Sequence, residues 1–366
     1  MSNGSKYPVR MDQILITAVE KKASDVHIVA GGPPLLRLNR EIVKLDYPEL
    51  QPDDVADLLA QIVKPHQVEI LNKDLELDFS YSLKARARFR GNAMFQRGTV
   101  AVALRIVPVE VPKLENLGVL PGVRELCFLP RGLVLVTGPT GSGKSTTLAA
   151  MIDVINRERN VNIVTIEDPI EFLHKHIKSS IKQREVRFDT FTFTSALRHV
   201  LRHDPDVILI GEMRDLESIG IALTAAETGH LVFSTLHTQT APLTVNRIVD
   251  IFEEHQRSQI RQQLAGSLQA VLSQQLIPNA SGNGQVLAME YLAMNAAVRN
   301  MIREGKEHQL YSAMQASHAT GMKTMDIALA ELFAVGKISR ADALERCVDK
   351  TEMERLLQRH GSRHIS

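Results

Sequence analysis

The residues with the clearest chemical pattern form a glycine-rich loop at positions 138–146. The loop fits the pattern G-x-x-x-x-G-K-S/T, follows the apolar run 133–136, and precedes a helical pattern at 145–155. Backbone N–H groups in such a loop curl around phosphate oxygens, and the following helix adds its positive N-terminal end. The residues predicted to contact phosphate are Gly138, Thr140, Gly141, Ser142, Gly143, Lys144, Ser145 and Thr146.

Two side chains of this loop have specific expected roles. Lys144 is predicted to reach the β and γ phosphates of a nucleotide, and the Ser145 hydroxyl is predicted to bind Mg²⁺. The alternative is a glycine-rich turn without a ligand, which the lysine, the hydroxyl and the flanking elements disfavour. A guanine site usually has an N-K-x-D motif downstream, but the nearest sequence, at 72–75, is out of pattern and precedes the loop. ATP is therefore the predicted nucleotide.

A second buried strand pattern, at 207–210, ends in Gly211 and Glu212. It resembles a Walker B strand, but a glycine stands where such strands commonly place the aspartate that contacts Mg²⁺. We therefore expect Glu212 to hold the metal through water or to orient a nucleophile, because it ends a buried strand of a nucleotide domain. The alternative is a surface acid at a strand end.

Further acids follow the apolar strand pattern at 163–166, which leads to the same carboxyl edge of a parallel sheet. Glu167, Asp168 and Glu171 compete to polarise the water that attacks the γ phosphate, and spacing alone does not select one. Alternatively, two or all three of them cap the following turn.

Two histidines bracket the apolar run 231–236. His237 lies at the end of this strand pattern, where it is predicted to hydrogen-bond the γ phosphate. His230 and His237 are each structural on the alternative interpretation, and no H-E-x-x-H spacing indicates zinc.

Arginines are concentrated at residues 86–105, where otherwise apolar positions alternate: Arg86, Arg88, Arg90, Arg97 and Arg105. A solvated strand face is one explanation. Another is that they reach toward nucleotide at a domain or subunit boundary and stabilise charge on the transferred phosphoryl group. Nucleic-acid binding is a third, but interleaved aromatics are few and the overall charge is balanced. The nucleotide role is the preferred prediction.

The elements that position these residues form two domains and a C-terminal appendage. Helical and strand patterns at 1–107 indicate a small α+β domain, and two prolines indicate an extended linker at 108–117. Buried strand patterns alternate with helices at 118–280, as in a parallel sheet with crossover helices. Residues 281–366 are predicted to be helical, with short helices at 296–303, 325–335 and 340–347. The predicted fold class is α/β.

Composition excludes several classes of protein. The 366 residues carry a formal net charge of +1, so no global field attracts nucleic acid or an anionic membrane. The 2 cysteines are isolated, which excludes a disulfide scaffold and a cysteine-rich zinc site. No segment has signal-peptide or membrane-spanning character, so the predicted location is the cytoplasm.

Four ordered segments together resemble the Walker A, aspartate, Walker B and histidine boxes of the secretion ATPases. They are residues 138–146, 166–171, 210–215 and 229–238. Within that superfamily, residues 297–304 are similar to the A-I-R-N-L-I-R-E motif of the ATPases that retract type IV pili, with conservative departures at Val298 and Met301. The likeness extends from residues 23–27 to residues 321–348.

The resemblance implies a PAS-like first domain, a RecA-like P-loop domain, and a homohexameric ring with ATP and Mg²⁺ between the domains. It implies that Glu171 is the catalytic base, that Glu212 belongs to the metal and water shell, and that first-domain arginines approach the phosphates. Arg90, Arg97 and Arg105 are the candidates for this last role.

The implied activity is ATP hydrolysis that powers pilus retraction and twitching motility. The implied partners are an inner-membrane platform protein and, indirectly, the pilin fibre, with the motor peripheral to the membrane; no nucleic acid is expected. The alternatives are a pilus-extension or type II secretion ATPase, and a nucleotide-binding regulatory or nucleic-acid-binding module. Because the extension and secretion relatives usually carry a four-cysteine zinc insert, the 2 cysteines favour retraction.

Overall fold

The computed structural model describes residues 10–38, 41–83, 86–108, 110–317 and 321–361. The chain forms two compact units. The first comprises Met1–Glu110 and Glu171–Leu173, and the second comprises Val111–Ile170 and His174–Ser366.

The first unit is an antiparallel sheet packed against helices, with strand order β3-β2-β1-β6-β5-β4. Its helices are α1 (Met11–Glu20), α2 (Pro52–Ala60) and α3 (Pro65–Asp74), and its strands are β1 (Asp25–Val29), β2 (Leu35–Leu38), β3 (Glu41–Lys44), β4 (Glu76–Leu83), β5 (Ala87–Gln96) and β6 (Thr99–Val107). Successive side chains of β5 point to opposite faces of the sheet, so Phe89 and Ala93 are buried whereas Arg90 is exposed. The apolar face of the sheet forms a core with α1 and α2.

The second unit is built on a sheet of order β13-β12-β7-β11-β10-β8-β9, in which every neighbouring pair except β12 and β13 is parallel. Its strands are β7 (Gly132–Thr137), β8 (Asn162–Glu167), β9 (Ser180–Glu185), β10 (Val207–Ile210), β11 (Leu231–Leu236), β12 (Leu268–Pro278) and β13 (Gln285–Ala293). Every residue of β7, β10 and β11 is buried, because helices cover both faces of the sheet. This is the RecA-like arrangement expected from the sequence.

Helices of the second unit cover the sheet and continue beyond it. They are α4 (Gly122–Leu126), α5 (Lys144–Glu158), α6 (Phe193–Val200), α7 (Leu216–Glu227), α8 (Ala241–Asp250), α9 (Glu254–Ser267), α10 (Ala296–Arg303), α11 (Leu310–Ala316), α12 (Met325–Ala334), α13 (Arg340–Arg346) and α14 (Lys350–Gly361), with 3-10 turns at Leu114–Leu117, Leu201–His203 and Glu307–Gln309. Among the described residues, no helix combines the length and apolarity needed to cross a membrane.

The C-terminal region is helical, as expected, but it begins with a strand. The three predicted short helices correspond to α10, α12 and α13. The prediction that residues 281–366 are helical is wrong at their start, because β13 pairs with β12 over nine residues from Ala270 to Pro278. Its alanine, methionine, leucine and glutamate residues favour helix locally, and the pairing with β12 overrides that preference. The domain limits at 107, 117 and 280 stay predictions.

Candidate functional site

The predicted box residues of the second unit meet at one edge of its sheet. Strands β7, β11, β10 and β8 lie side by side in that order and run in the same direction. Their carboxyl ends therefore deliver the glycine-rich loop, His237, Glu212 and Glu167 to neighbouring positions. Ligands of open parallel sheets bind at this edge.

The glycine-rich loop has a backbone that only glycine adopts without strain. Gly138, Gly141 and Gly143 have φ values of +138°, +79° and +87°. A Cβ atom on Gly138 would lie 2.3 Å from the carbonyl oxygen of Gln274, which belongs to the adjacent strand β12. Any other residue at Gly138 would therefore push the loop away from the sheet.

Lys144 lies in the last part of the loop, where it is also the first residue of α5. Although it carries a charge, it is 8% exposed, and its Nζ donates hydrogen bonds to the carbonyl oxygens of Gly138 at 2.8 Å and Pro139 at 3.0 Å. The first amides of α5 have no partner within the helix and contribute its positive end. A cationic side chain and a helix N-terminus thus meet at one loop, an arrangement that binds phosphate.

The other loop residues fit a bound phosphate group. The Ser142 hydroxyl oxygen is buried and makes no hydrogen bond within the described residues. Thr140 and Gly141 are exposed, and Ser145 and Thr146 are half-buried at the start of α5. The loop therefore contains accessible backbone amides, which donate hydrogen bonds to phosphate oxygens. It also contains hydroxyl groups, which bind the Mg²⁺ that accompanies a nucleotide.

Glu212 lies just beyond β10 and is held by two basic side chains. Its carboxylate contacts the Arg214 guanidinium at 2.8 Å and His237 Nε2 at 3.1 Å. Burial acts to raise the pKa of Glu212, but the hydrogen bond from Arg214 and the charge of His237 outweigh it, so the pKa is lowered. The carboxylate is thus kept ionised, as a metal or water ligand requires.

The backbone around Glu212 is fixed by the two neighbouring strands. The N–H of Gly211 donates to the carbonyl of Ile166 at 2.8 Å, and the Thr235 hydroxyl donates to the carbonyl of Gly211 at 2.6 Å. A Cβ on Gly211 would lie 3.2 Å from that Ile166 oxygen. Glycine therefore lets β10 and β8 approach closely at the position where other Walker B strands place an aspartate.

The two histidines differ in their surroundings. His237 follows β11 with its side chain 46% exposed, and its Nε2 faces Glu212. His230 precedes the same strand at its opposite end, where its Nδ1 contacts the carbonyl of Ala225 at 2.9 Å. His237 therefore belongs to the carboxyl edge, whereas His230 joins α7 to β11.

The acids after β8 are also distinguished by their contacts. Glu167 Oε1 accepts hydrogen bonds from the Thr165 hydroxyl at 2.6 Å and from Gln183 Nε2 at 3.2 Å. Asp168 is exposed and precedes a cis peptide bond to Pro169.

Glu171 is exposed, and Glu171–Leu173 pack with the first unit.

The predicted arginines occupy the first unit. Arg105 Nε donates to Asp25 Oδ1 at 2.8 Å, and Arg90 lies opposite Arg105 on the neighbouring strand. Burial acts to raise the pKa of Asp25, but hydrogen bonds from Arg105 and Ser24 outweigh it and lower the pKa. Arg97 lies in the turn between β5 and β6 with a φ of +49°. Arg105 therefore has a structural partner, while Arg97 lies at the tip of a hairpin.

Sequence reasoning assigned no role to two residues that shape the site. Arg214 pairs with Glu212, and its position two residues later was the available signal. Gln274 is fully buried, and its Nε2 donates to the Thr147 hydroxyl of α5 at 2.8 Å. No local pattern indicates Gln274, because its contacts depend on the pairing of β12 with β7.

Comparison with known proteins agrees with this geometry. The chain is 47% identical over 334 residues to the type IV pilus retraction ATPase PilT of Pseudomonas aeruginosa, covering 91% of this chain and 97% of that protein. It is 46% identical over 340 residues to a twitching motility protein of Neisseria gonorrhoeae, covering 93% of this chain and 91% of that protein. A crystal structure of the pilus retraction motor PilT with bound ADP superposes with a TM-score of 0.88 at 48% identity, covering 95% of this chain and 99% of that one.

A family model gives the broader assignment. The model for type II/IV secretion system proteins matches residues 4–365, nearly the whole chain. With the phosphate-loop geometry and the relatives described above, this match leads to one conclusion: the chain belongs to the type II/IV secretion system protein family.

Proposed function

We propose that this chain is an ATPase motor that drives retraction of type IV pili. The observation that carries the proposal is the glycine-rich loop, in which Lys144 and the start of α5 converge at the sheet edge beside Glu212 and His237. The 47% identity to a pilus retraction ATPase supports the specific cellular role.

The residues divide the chemistry among them. Lys144 and the loop amides bind the phosphates and neutralise their charge, which is the main requirement of phosphoryl transfer. Mg²⁺, when bound, supplies further neutralisation, with Ser145 as its ligand and Glu212 holding it through water. Glu171 orients and deprotonates the attacking water, and His237 responds to the γ phosphate. Arginines of the first domain, Arg90, Arg97 and Arg105, stabilise the transferred group.

The motor works as a ring of six copies, in which hydrolysis moves the two domains of each subunit. Its partners are an inner-membrane platform protein of the pilus machine and, through it, the pilin fibre. It acts in the cytoplasm, peripheral to the inner membrane. The family resemblance and the similarity to the retraction ATPases support these proposed assignments.

Lys144→Ala tests the proposal, with Lys178→Ala, an exposed lysine of the same unit, as the matched control. Hydrolysis of ATP by purified protein is expected to fall at least about 100-fold in Lys144→Ala, because a charge that acts on the transition state is lost. Cells that carry only this variant are expected to lose twitching motility. Normal ATP turnover in a folded Lys144→Ala protein would refute the proposed motor function.

The surface pili of a deletion strain distinguish retraction from the related activities. A strain that lacks a retraction motor keeps its surface pili, and accumulates them, but does not twitch. Loss of the pili identifies an extension motor, and loss of secreted proteins with normal pili identifies a type II secretion ATPase. Filter binding with DNA and RNA tests the nucleic-acid-binding alternative.

A further inference from the structure

Glu290 of β13 is fully buried, and its carboxylate joins the beginnings of two helices. Oε1 accepts from the backbone N–H of Ala241 at 2.5 Å, and Oε2 accepts from that of Met325 at 3.0 Å. These are the first residues of α8 and α12. The N-cap residues Thr240 and Thr324 accept from amides farther into each helix, so Glu290 serves amides that the caps leave unbonded.

Burying a carboxylate at this position is unfavourable in free energy. Burial raises the pKa of Glu290 to about 7, against the lowering effect of the bonds from Ala241 and Met325, while nearby Asp326 raises it further. The positive ends of two helices favour the charged form. Well-packed apolar side chains often replace buried charges without loss of stability, so stability alone does not explain this glutamate. What an apolar residue lacks is the pair of acceptors that links α8 to α12.

On one side, Glu290 is connected to the phosphate loop. It lies opposite Ser273 of β12, and Ser273 lies opposite Thr137, the last residue of β7. The hydroxyls of Thr137 and Ser273 are 2.8 Å apart, and all three residues are fully buried. Thr137 directly precedes the loop, and α8 follows His237 after three residues. The carboxylate therefore contacts α8, which follows the His237 segment, while the strand that carries it is joined through β12 to the residue that precedes the loop.

On the other side, α12 is the centre of the C-terminal helices. Its second residue, Asp326, is fully buried and accepts from the N–H groups of Val348 at 2.7 Å and Asp349 at 3.0 Å, just before α14. It also accepts from the Tyr311 hydroxyl of α11 at 2.9 Å. A displacement of the first turn of α12 would therefore reach α11 and α14.

We propose that Glu290 is a positioning residue that transmits changes at the phosphate loop and the His237 segment to the C-terminal helices. It does so because one rigid carboxylate holds the first turns of α8 and α12 together. The inference rests on the proposed nucleotide binding at residues 138–146. It adds a mechanical link within the second unit, distinct from the catalytic groups.

Hydrogen exchange followed by mass spectrometry on the full-length protein tests the link, with and without Mg-ADP and with a non-hydrolysable ATP analogue. In the wild type, nucleotide is expected to change exchange at residues 138–146, at 241–250 and at 321–334. If nucleotide does not protect residues 138–146 from exchange, nucleotide binding itself is refuted. If nucleotide protects these residues but does not change exchange at 321–334, only the transmission is refuted.

Glu290→Gln is the informative variant. Its amide nitrogen is a donor and cannot accept from a backbone N–H, so one of the two helices loses its bond. The nucleotide-dependent change at 321–334 is expected to be at least about threefold smaller, because that turn then opens independently of the site. Protection at 138–146 is expected to stay as in the wild type.

Thr324→Ala is the matched control, because it weakens the N-cap of α12 and leaves Glu290 in place. It is expected to speed exchange at 321–334 in all states while keeping the nucleotide-dependent difference. If Glu290→Gln keeps that difference, or if Thr324→Ala loses it equally, the link is refuted. If Glu290→Gln does not fold, Glu290→Asp replaces it, because its shorter side chain does not reach both amides. Glu290→Asp is expected to lose the nucleotide-dependent change in exchange at 321–334. If that change is the same as in the wild type, the link is refuted.

Discussion

The carboxylate of Glu212 and the imidazole of His237 are 3.1 Å apart, although they follow different strands. The contact exists because β10 and β11 are parallel neighbours whose carboxyl ends coincide. Arg214 holds the same carboxylate from the other side, so Glu212 is ionised and fixed between two donors. The contact joins the histidine proposed to respond to the γ phosphate with the glutamate proposed to hold Mg²⁺ through water.

His237→Asn is expected to lower the turnover of ATP at least about tenfold while changing nucleotide affinity much less, because the lost group is proposed to act on the chemical step. His230→Asn, at the other end of β11, is the control and is expected to leave turnover unchanged. Steady-state ATPase assays and nucleotide titrations measure both. Equal losses in the two variants would mean that His237 only stabilises the strand.

Glu171→Ala is expected to abolish turnover and spare nucleotide binding, since a base acts mainly on the chemical step. Glu167→Ala is expected to lower the melting temperature instead, because Thr165 and Gln183 lose their shared acceptor. Turnover, nucleotide affinity and thermal unfolding of the two proteins provide the comparison. If Glu167→Ala abolishes turnover and Glu171→Ala lowers only the melting temperature, Glu167 rather than Glu171 is the base.

Arg97 offers a test of the arginine role without loss of stability. Asparagine tolerates its φ of +49° better than arginine does, so Arg97→Asn is expected to fold at least as well as the wild type. If Arg97 stabilises the transferred phosphoryl group, turnover falls by at least about tenfold. Arg97→Lys is the charge-preserving control, and wild-type turnover in Arg97→Asn would exclude the role.

Arg299 and Arg303 lie on the same helix, α10, but are expected to respond differently to substitution. The Arg299 guanidinium donates to the carbonyls of Ala265 and Gly266 at the end of α9 and to Gln269 Oε1, the last at 3.1 Å. Arg299→Ala should therefore lower the melting temperature. Arg303 is exposed, so Arg303→Ala should keep the fold and the ATPase activity. If α10 passes the movement of the motor on to its partners, as its similarity to the retraction motif suggests, this variant should abolish twitching; retained motility would exclude that role for Arg303.

His174 should make the protein sensitive to acid. Burial lowers its pKa from 6.5 to about 4, with a smaller opposing effect from Asp153. Between these values the unfolded chain binds the proton that the folded chain rejects, so stability falls as the pH drops from about 6.5 to about 4, by up to about 1.4 kcal/mol per pH unit.

Urea unfolding from about pH 4 to about pH 8 measures this effect. His174→Gln should flatten the dependence in the acid range, whereas His255→Gln, with its side chain 72% exposed, should leave it unchanged. An unaltered slope in His174→Gln would assign the acid sensitivity to other groups.

Several features were predictable from local sequence because the residues that cause them are adjacent. The loop at residues 138–146 contains its glycines, lysine and hydroxyls in one run, and the flanking strand and helix follow from hydrophobic pattern. The helix Ala296–Arg303 was predictable for the same reason. The four boxes resemble those of the secretion ATPases, and parallel strands bring the loops that carry them to one edge.

Contacts between distant segments required the tertiary structure. Glu212 meets His237 because β10 and β11 pair as parallel neighbours. Glu290 joins Ala241 to Met325 because β13, paired with β12, carries it to the beginnings of α8 and α12. The strand β13 has the composition of a helix, and only its pairing with β12 decides its conformation. The contact of Arg299 with the end of α9 likewise depends on how α9 and α10 pack. The sequence by itself determined which chemical groups are present and how each segment folds locally, whereas long-range packing decided which of those groups act together.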